Sequence, residues 1–255
     1  MRPIIIGAGR GSRLKALTDD QPKCYAPIGG RRILDWLLAA LQEAGLSSPV
    51  FIGGYRIEQI RADYPQLEYR RNDNWPHNNI LASLFYAEDA MDRGFVCSYS
   101  DILYRPQVVR RAVEHPGDIV LCVDTDWRRR YADRSQHPED DAEKVVAEGD
   151  RVIEVNRGID SGKASGEYIG VAKFSAAGAA WLKEQYHRAK DARAGSVWKD
   201  GAVFEKAYLI HLFEEMLQEG VPLHMVTTDG QYMEIDTEED YALANAHWPR
   251  TEDTD

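Results

Sequence analysis

Apolar residues fall along this chain in short continuous runs separated by stretches of helical spacing, and that alternation predicts the architecture of its first half. Pro3–Ile6 is a short apolar run that passes straight into glycines, the pattern of a buried strand. Ile33–Ala44 (ILDWLLAALQEA) carries apolar residues at three- and four-residue intervals and closes at Gly45, which predicts a helix with a glycine cap. Pro49–Gly53 reads as a second buried strand, a polar helical stretch starts at Ile57, and Leu67–Arg71 reads as a third strand. Asn79–Met91 predicts a helix with Leu81, Leu84, Phe85 and Met91 on one face, interrupted by Glu88. Gly94–Ser98 predicts a strand with Asp101 just beyond it, Pro106–Glu114 a helix, and Asp118–Val123 a further strand.

Strand, helix and strand repeated through residue 123 predict a parallel sheet with crossover helices. Ligands of such sheets bind beyond the carboxyl ends of the strands, where the glycine loop after Ile6 and Asp101 both fall. The pattern then changes. Residues 127–141 (WRRRYADRSQHPEDD) are crowded with charge and read as a surface segment. Lys144–Val155 alternates around Glu148–Gly149–Asp150 as a hairpin does, and Glu167–Phe174 reads as a strand. Helices are expected at Ala176–Ala189 and Gly201–Glu219, a strand at Pro222–Val226, a helix at Glu238–His247, and a frayed tail at Pro249–Asp255. No repeat or low-complexity linker divides the chain. One domain is expected over 1–248, with a nucleotide-binding half (1–123), an acceptor-binding half with a lid (124–248), and a tail (249–255).

Composition narrows the classes. The chain has 255 residues, 44% of them hydrophobic, enough for a real core. No run approaches the roughly 18 apolar residues of a membrane helix, and MRPIIIGAGRG lacks a secretory layout, so the expected compartment is the cytoplasm. Cys24, Cys97 and Cys122 form no CxxC pair and no zinc spacing; reduced, buried thiols are expected. A net charge of −11 argues against a nucleic-acid binder. The charge is uneven, however. Residues 1–30 carry five basic residues against Asp19 and Asp20, whereas residues 231–255 carry eight acids against Arg250. A basic, glycine-rich start in an acidic protein points to a local anion site.

The run IIIGAGRGSRLKALTDDQPK, residues 4–23, carries that chemistry. Gly7, Gly9 and Gly11 let the backbone approach phosphate oxygens and aim N–H groups at them. Arg13 and Lys23 supply fixed positive charge, and Pro22 stiffens the approach to Lys23. The spacing is not GxxxxGK[ST], which excludes a P-loop. It is GxGxG rather than GxGxxG, and no acid closes a second strand about 20 residues on, which disfavours a nicotinamide-dependent dehydrogenase. The compound pattern is what distinguishes it from an ordinary glycine turn: glycines, Ser12–Arg13–Leu14, then Pro22–Lys23.

With these residues the chain resembles the nucleoside-diphosphate-sugar pyrophosphorylase-like nucleotidyltransferases, whose G-x-G-[ST]-R and P-K elements match Gly9-Arg10-Gly11-Ser12-Arg13 and Pro22-Lys23. The resemblance continues at Gly54–Tyr55, at Asn78 to Leu84, at Asp101, at Gly166 to Gly170 and at Glu234-Ile235-Asp236-Thr237. Within the family the chain is most similar to cytidylyltransferases of phosphocholine or phosphonates, through Trp127, Tyr131, Arg134, His137-Pro138 and Ala142-Glu143-Lys144-Val145.

The resemblance implies an α/β, Rossmann-like fold with a mixed, mostly parallel sheet flanked by helices and a small lid or insertion. It implies an Mg²⁺-dependent enzyme that transfers CMP from CTP to a small phosphate or phosphonate and releases pyrophosphate. Arg13 would stabilise the β- and γ-phosphates, Lys23 the α-phosphate, and Asp101 and Asp236 would hold Mg²⁺. Ala8, Gly9, Gly11, Ser12, Gly54, Asn79 and Ser83 would surround the nucleotide. From residue type, Glu167 suits a cationic acceptor group, Lys144 or Lys173 its phosphate, and Tyr208 an acceptor contact; Trp127, Tyr131, Tyr168 and Trp198 are further aromatic candidates for a cage around a quaternary ammonium. His211 stands where some aminophosphonate-using relatives carry an acid, which keeps a neutral polyol or sugar phosphate open. Spacing alone also allows Asp101 to be a strand-end turn residue, Asp236 an N-cap competing with Thr237, and Asn78 or Asn79 a helix cap. The alternative enzyme is a sugar- or cyclitol-phosphate nucleotidyltransferase using another NTP. A non-catalytic sensor or assembly module would be expected to lose one of Arg13, Lys23, Asp101 and Asp236. All four are present. A homodimer is left open, and neither a nucleic acid nor a membrane partner is expected.

Overall fold

The computed structural model describes residues 1–132, 134–136 and 138–248. His137 and the tail Pro249–Asp255 lie outside the described residues. The chain opens with strand β1 (Arg2–Gly7), a 3-10 turn at Ser12–Thr18 and a short one at Lys23–Tyr25. A small hairpin, β2 (Pro27–Ile28) and β3 (Arg31–Arg32), leads into helix α1 (Ile33–Glu43), followed by β4 (Val50–Gly53), α2 (Ile57–Asp63) and β5 (Glu68–Arg71). Next come α3 (Ile80–Leu84), β6 (Phe95–Tyr99), β7 (Ile102–Tyr104), α4 (Pro106–Glu114), β8 (Ile119–Asp124) and α5 (Trp127–Ala132). The hairpin β9 (Lys144–Glu148) and β10 (Arg151–Asn156), β11 (Gly166–Phe174), α6 (Ala176–Arg193), α7 (Leu209–Gln218), β12 (His224–Thr228), β13 (Tyr232–Glu234) and α8 (Glu238–His247) complete it.

Nine strands form one mixed sheet in the order β5-β4-β1-β6-β11-β8-β12-β10-β9. The parallel part is the one that the apolar runs predict: β1 lies between β4 and β6, and Ile4, Ile5 and Ile6 are buried on both faces. The second half is largely antiparallel. β11 runs against both β6 and β8, and its register against β8 shifts between Tyr168 and Ala172. Gly170 sits in that irregularity at φ 78°, where a Cβ would meet the Tyr99 ring at 2.4 Å.

Helices cover both faces. α1 buries Ile33, Leu34, Leu37, Ala40 and Leu41, the three- and four-residue spacing of the sequence, and packs with α4 on one face. α3, α6 and α7 cover the other, around Phe95, Phe174 and Phe213. A smaller cluster matters more for the site. Leu14, Ala26, Ile28, Ile33, Leu103, Ile235, Ala244 and Trp248 tie the glycine loop to the carboxyl-terminal helix.

Three expectations need correction. The helix expected at Asn79–Met91 is α3 followed by a 3-10 segment at Phe85–Ala90, which is itself interrupted by a non-helical Ala87. The helix expected from Gly201 begins only at Leu209, after a 3-10 turn at Phe204–Lys206. The charged stretch 127–141 is not a plain surface segment. Trp127 and Tyr131 are buried, Arg130 pairs with Asp124 and Glu167, and Arg134 pairs with Asp240 at 2.8 Å. Glu167 and Asp240 are distant in sequence, so local charge density gave no sign of burial. Cys24, Cys97 and Cys122 are free and buried, as expected, and burial pushes Cys24 and Cys97 up to about 12. Among the described residues no helix is long and apolar enough to cross a membrane.

Candidate functional site

A cavity of about 500 Å³ opens beyond the carboxyl ends of β1 and β6 and the amino end of β11. Its near wall is the glycine loop, with Ala8, Gly9 and Gly11, followed by Arg13 and Lys23. Lys23 is fixed by local chain geometry. Pro22 stands extended before a 3-10 turn, and Gly11 at φ 71° packs against the lysine stem, where a Cβ would lie 2.6 Å from Lys23 Cδ. A Gly11→Ala substitution is therefore expected to cost about 1–2 kcal/mol of stability from the left-handed backbone alone. It should also displace Lys23. Gly9→Ala meets nothing within 4 Å and should melt like the parent, so equal thermal melts for the two variants would contradict this account.

The opposing charges come from one end of a short antiparallel ladder. β7 pairs with β13, Ile102 opposite Glu234, and Ile235 N donates to Asp101 O at 3.0 Å. This ladder carries Asp236 from a remote part of the chain to the side of Asp101. Lys23 Nζ donates to Asp101 Oδ2 at 2.6 Å and also to Asp236 Oδ1, while Arg13 Nη2 donates to Asp236 Oδ2. Thr237, not Asp236, caps α8: its Oγ1 accepts from Asp240 N at 3.1 Å. The Asp236 side chain is thus not spent on the helix cap and lines the cavity. Burial works against the Lys23 charge, but Asp101 and Asp236 outweigh it and hold the ammonium above its ordinary range. Burial, reinforced by Asp236, Glu167 and Asp101, drives the Glu234 carboxyl well up.

The donor set suits a hard divalent cation, because two carboxylates already converge on one positive centre. Among the described residues no three His, Cys, Asp or Glu side chains form a group that could hold a metal unaided. Phosphate oxygens and water would have to complete such a shell, as is usual for Mg²⁺.

A neutral polar wall faces the glycine loop on the other side. Asn79 and Ser83 both line the cavity, but Asn79 stands just before α3 rather than within it, and its Nδ2 donates to Lys206 O at 3.2 Å. Asn72, fully buried, donates to Asn78 Oδ1 and Ser83 Oγ, both at 2.9 Å. Trp75 adds an aromatic surface beside them.

The structure brings Ala8, Gly9, Gly11, Arg13, Lys23, Asn79, Ser83, Asp101, Glu167, Tyr208 and Asp236 to one cavity. Ser12, Gly54, Lys144 and Lys173 are not among the residues lining it. Gly54 packs behind the loop, its Cβ position 2.8 Å from Ala8 O. Lys144 Nζ donates to Arg157 O at 2.8 Å, which makes it a brace. Lys173, which pairs with Val96 and Val120 far from the strand ends that form the cavity, donates from Nζ to His115 O and Gly117 O in the turn before β8. Glu167 does line it, but already accepts from Tyr131 OH at 2.7 Å and pairs with Arg130. Of the aromatic candidates, Tyr168 and Tyr208 reach the cavity; Trp127 and Tyr131 pack with Ala142, and Trp198 donates to Glu215. His211 is buried, bonded to Asp200 at 2.8 Å and to Tyr208 N, so it shapes the start of α7 rather than the cavity.

Sequence reasoning missed Glu143, Arg157, Glu234, Trp75 and Tyr99. Glu143 stood beside Lys144 in a stretch used only for resemblance, and Arg157 follows the hairpin without any local motif. Burial pushes the Glu143 carboxyl up to about 7, against the pull of Arg157. A raised carboxyl binds its proton more tightly in the folded state than in the unfolded chain, where it titrates near 4.5. Stability is then lost as pH rises from 4.5 through about 7 and levels off above. Glu143→Gln removes this dependence. Its stability relative to the parent should improve by on the order of 2 kcal/mol between pH 5 and pH 8 in denaturant titrations. A gap that does not change with pH would refute the burial argument.

Comparison with known proteins identifies the family and the fold. The family described as MobA-like NTP transferase domain matches residues 3–234. The chain is 27% identical to the CTP:phosphoglutamine cytidylyltransferase of Campylobacter jejuni subsp. jejuni serotype O:2, over 92% of this chain and 96% of that protein. Among solved structures, the CTP:phosphocholine cytidylyltransferase of Streptococcus pneumoniae superposes with a TM-score of 0.74 at 20% identity, covering 96% of this chain and 97% of that one. The inositol-1-phosphate CTP transferase of T. maritima gives 0.72 at 20% identity, covering 95% and 94%. At that identity the two structures show a shared fold, the mixed α/β sheet with flanking helices.

Proposed function

Because the chain belongs to the MobA-like NTP transferase domain family, we propose that it transfers CMP from CTP to a small phosphate- or phosphonate-bearing acceptor and releases pyrophosphate. The observation that carries this reading is the convergence of Arg13 and Lys23, from the glycine loop, on Asp101 and Asp236 at the mouth of the sheet. The cytidylyltransferases among its relatives support the choice of base and of acceptor class.

The chemistry asks little covalent work of the protein. An acceptor oxygen attacks the α-phosphorus, the bond to the bridging oxygen breaks, and pyrophosphate leaves with that electron pair. Positioning and charge stabilisation dominate. Arg13, partly exposed at the cavity rim, is placed to meet the outer phosphates. Lys23, buried deeper, is placed to meet charge that develops at the α-phosphate. The loop backbone at Ala8, Gly9 and Gly11 can approach phosphate closely, and the wall of Asn78, Asn79 and Ser83 offers hydrogen bonds to a base. Mg²⁺, held by Asp101 and Asp236, would neutralise phosphate charge and orient the triphosphate.

The test is a matrix of four NTPs against phosphocholine, aminoethylphosphonate, hydroxyethylphosphonate, phosphoglutamine and sugar 1-phosphates, read by pyrophosphate release. CTP is expected to exceed the other nucleotides with at least one phosphate or phosphonate acceptor. Preference for UTP or dTTP with a sugar phosphate would replace this reading by the sugar-nucleotide alternative.

A further inference from the structure

The far wall of the same cavity holds buried polar atoms that the protein itself leaves unsatisfied. Glu143 is only 8% exposed; its Oε1 accepts from Arg157 Nη2 at 3.3 Å, and its Oε2 has no hydrogen-bond partner. Arg157 Nε is likewise without a partner. Both side chains line the cavity. Leaving such groups unpaired is costly, so their retention points to a ligand that completes them.

The pair is held in place. Lys144 Nζ fixes the Arg157 carbonyl at 2.8 Å, and the Arg157 guanidinium lies over the Tyr208 ring at 3.9 Å. Tyr168 N donates to Glu143 O at 2.8 Å. An acceptor oxygen and an N–H donor, each without a partner and of opposite charge, thus belong to one ion-paired couple. A ligand that meets both must carry a hydrogen-bonding cation and an anion close together. A quaternary ammonium has no N–H for Glu143 Oε2 and nothing for Arg157. A carboxylate without an amine would face the Glu143 charge, and sugar hydroxyls would leave the charged pair with neutral partners. A zwitterion satisfies both groups and leaves the net charge of the buried wall unchanged.

Resting on the nucleotidyltransferase reading above, we infer that the end of the acceptor remote from its phosphate is an α-amino-acid head group, its ammonium on Glu143 and its carboxylate on Arg157. Tyr208 positions Arg157. Lys144 then affects the acceptor only through the Arg157 backbone.

The experiment compares O-phospho-L-serine and phosphoglutamine with phosphoethanolamine, which lacks the carboxylate, 3-phosphoglycerate, which lacks the amine, and phosphocholine. Calorimetric binding to the CTP-free protein and pyrophosphate release with CTP are both measured. At least one phosphorylated amino acid should bind, and turn over in kcat/KM, more than tenfold better than its truncated counterparts. Glu143→Gln should erase the preference for the amine, and Arg157→Lys the preference for the carboxylate, with KM changing more than kcat and both variants folded by thermal melt. Equal or better use of phosphocholine or phosphoethanolamine would sink this inference and leave the cytidylyltransferase reading standing. Absence of pyrophosphate release with every pair would sink that reading instead. In that case, amino-acid binding unaffected by Glu143→Gln would overturn the head-group assignment as well.

Discussion

Lys23→Met lowers turnover by roughly 10²–10³-fold while the protein stays folded, the loss expected when one preorganised donor at a developing charge is removed. Methionine keeps the unbranched stem that packs on Gly11, so the substitution removes charge and little volume. The ammonium it deletes bonds Asp101 Oδ2 at 2.6 Å and Asp236 Oδ1 as well. Its charge is held above the ordinary lysine range despite burial, so it is present at every pH at which the enzyme would be assayed. Deleting it leaves two partly buried carboxylates facing each other. A second result follows from that repulsion: added Mg²⁺ should raise the melting temperature of Lys23→Met more than that of the parent, because a cation replaces the missing charge. Pyrophosphate release, circular dichroism and melts with and without Mg²⁺ check both parts. Near-parental turnover in the folded variant would remove Lys23 from the chemistry.

What the sequence disclosed and what it hid divide along a physical line. The apolar strand Pro3–Ile6 and its glycines are local signals, and they located the loop and its two cations directly. α1, α4 and α8 follow from spacing and capping residues within each segment; Pro106 and Thr237 stand at the observed starts of the last two. Arg130 and Arg134 were misread because a run of arginines looks solvated until its counterions arrive. Those are Asp124, Glu167 and Asp240, brought by β8, β11 and α8. Glu143 and Arg157 stayed hidden for the same reason. Their pairing needs the β9–β10 hairpin to set Lys144 opposite Asn156, just before Arg157, and needs β11 to hold Tyr168 against the Glu143 backbone. Lys144 and Lys173 show the converse. A lysine in an apolar strand suggests a ligand contact by type alone, yet each ammonium is taken up by backbone carbonyls. Residue type predicts what a group can do; only the fold decides what it already does.

Asp240→Ala is expected to destabilise the protein by about 3–5 kcal/mol, the cost of breaking a buried ion pair from one side. Asp240 is fully buried and serves at least three partners among the described residues. Its Oδ2 accepts from Asp236 N at 3.1 Å and Thr237 N at 2.9 Å, and its Oδ1 faces Arg134 Nε at 2.8 Å. Alanine would strand the Arg134 charge, which is also almost wholly buried, and would remove half of the capping box at the start of α8. Asp240→Asn separates the two roles. The amide oxygen can still accept the two backbone N–H groups, but it offers Arg134 no charge, so its cost should fall between those of the parent and alanine. The functional consequence runs through the backbone. Asp236 is aimed at Lys23 and Arg13 by the same N–H bond that Asp240 accepts, so Asp240→Asn should keep more turnover than Asp240→Ala at a temperature where both remain folded. Denaturant titration and pyrophosphate release on the two variants test this order. If alanine and asparagine prove equally stable, the Asp240 carboxylate is not what orients Asp236, and the positive ends of Arg13 and Lys23 must suffice to hold it.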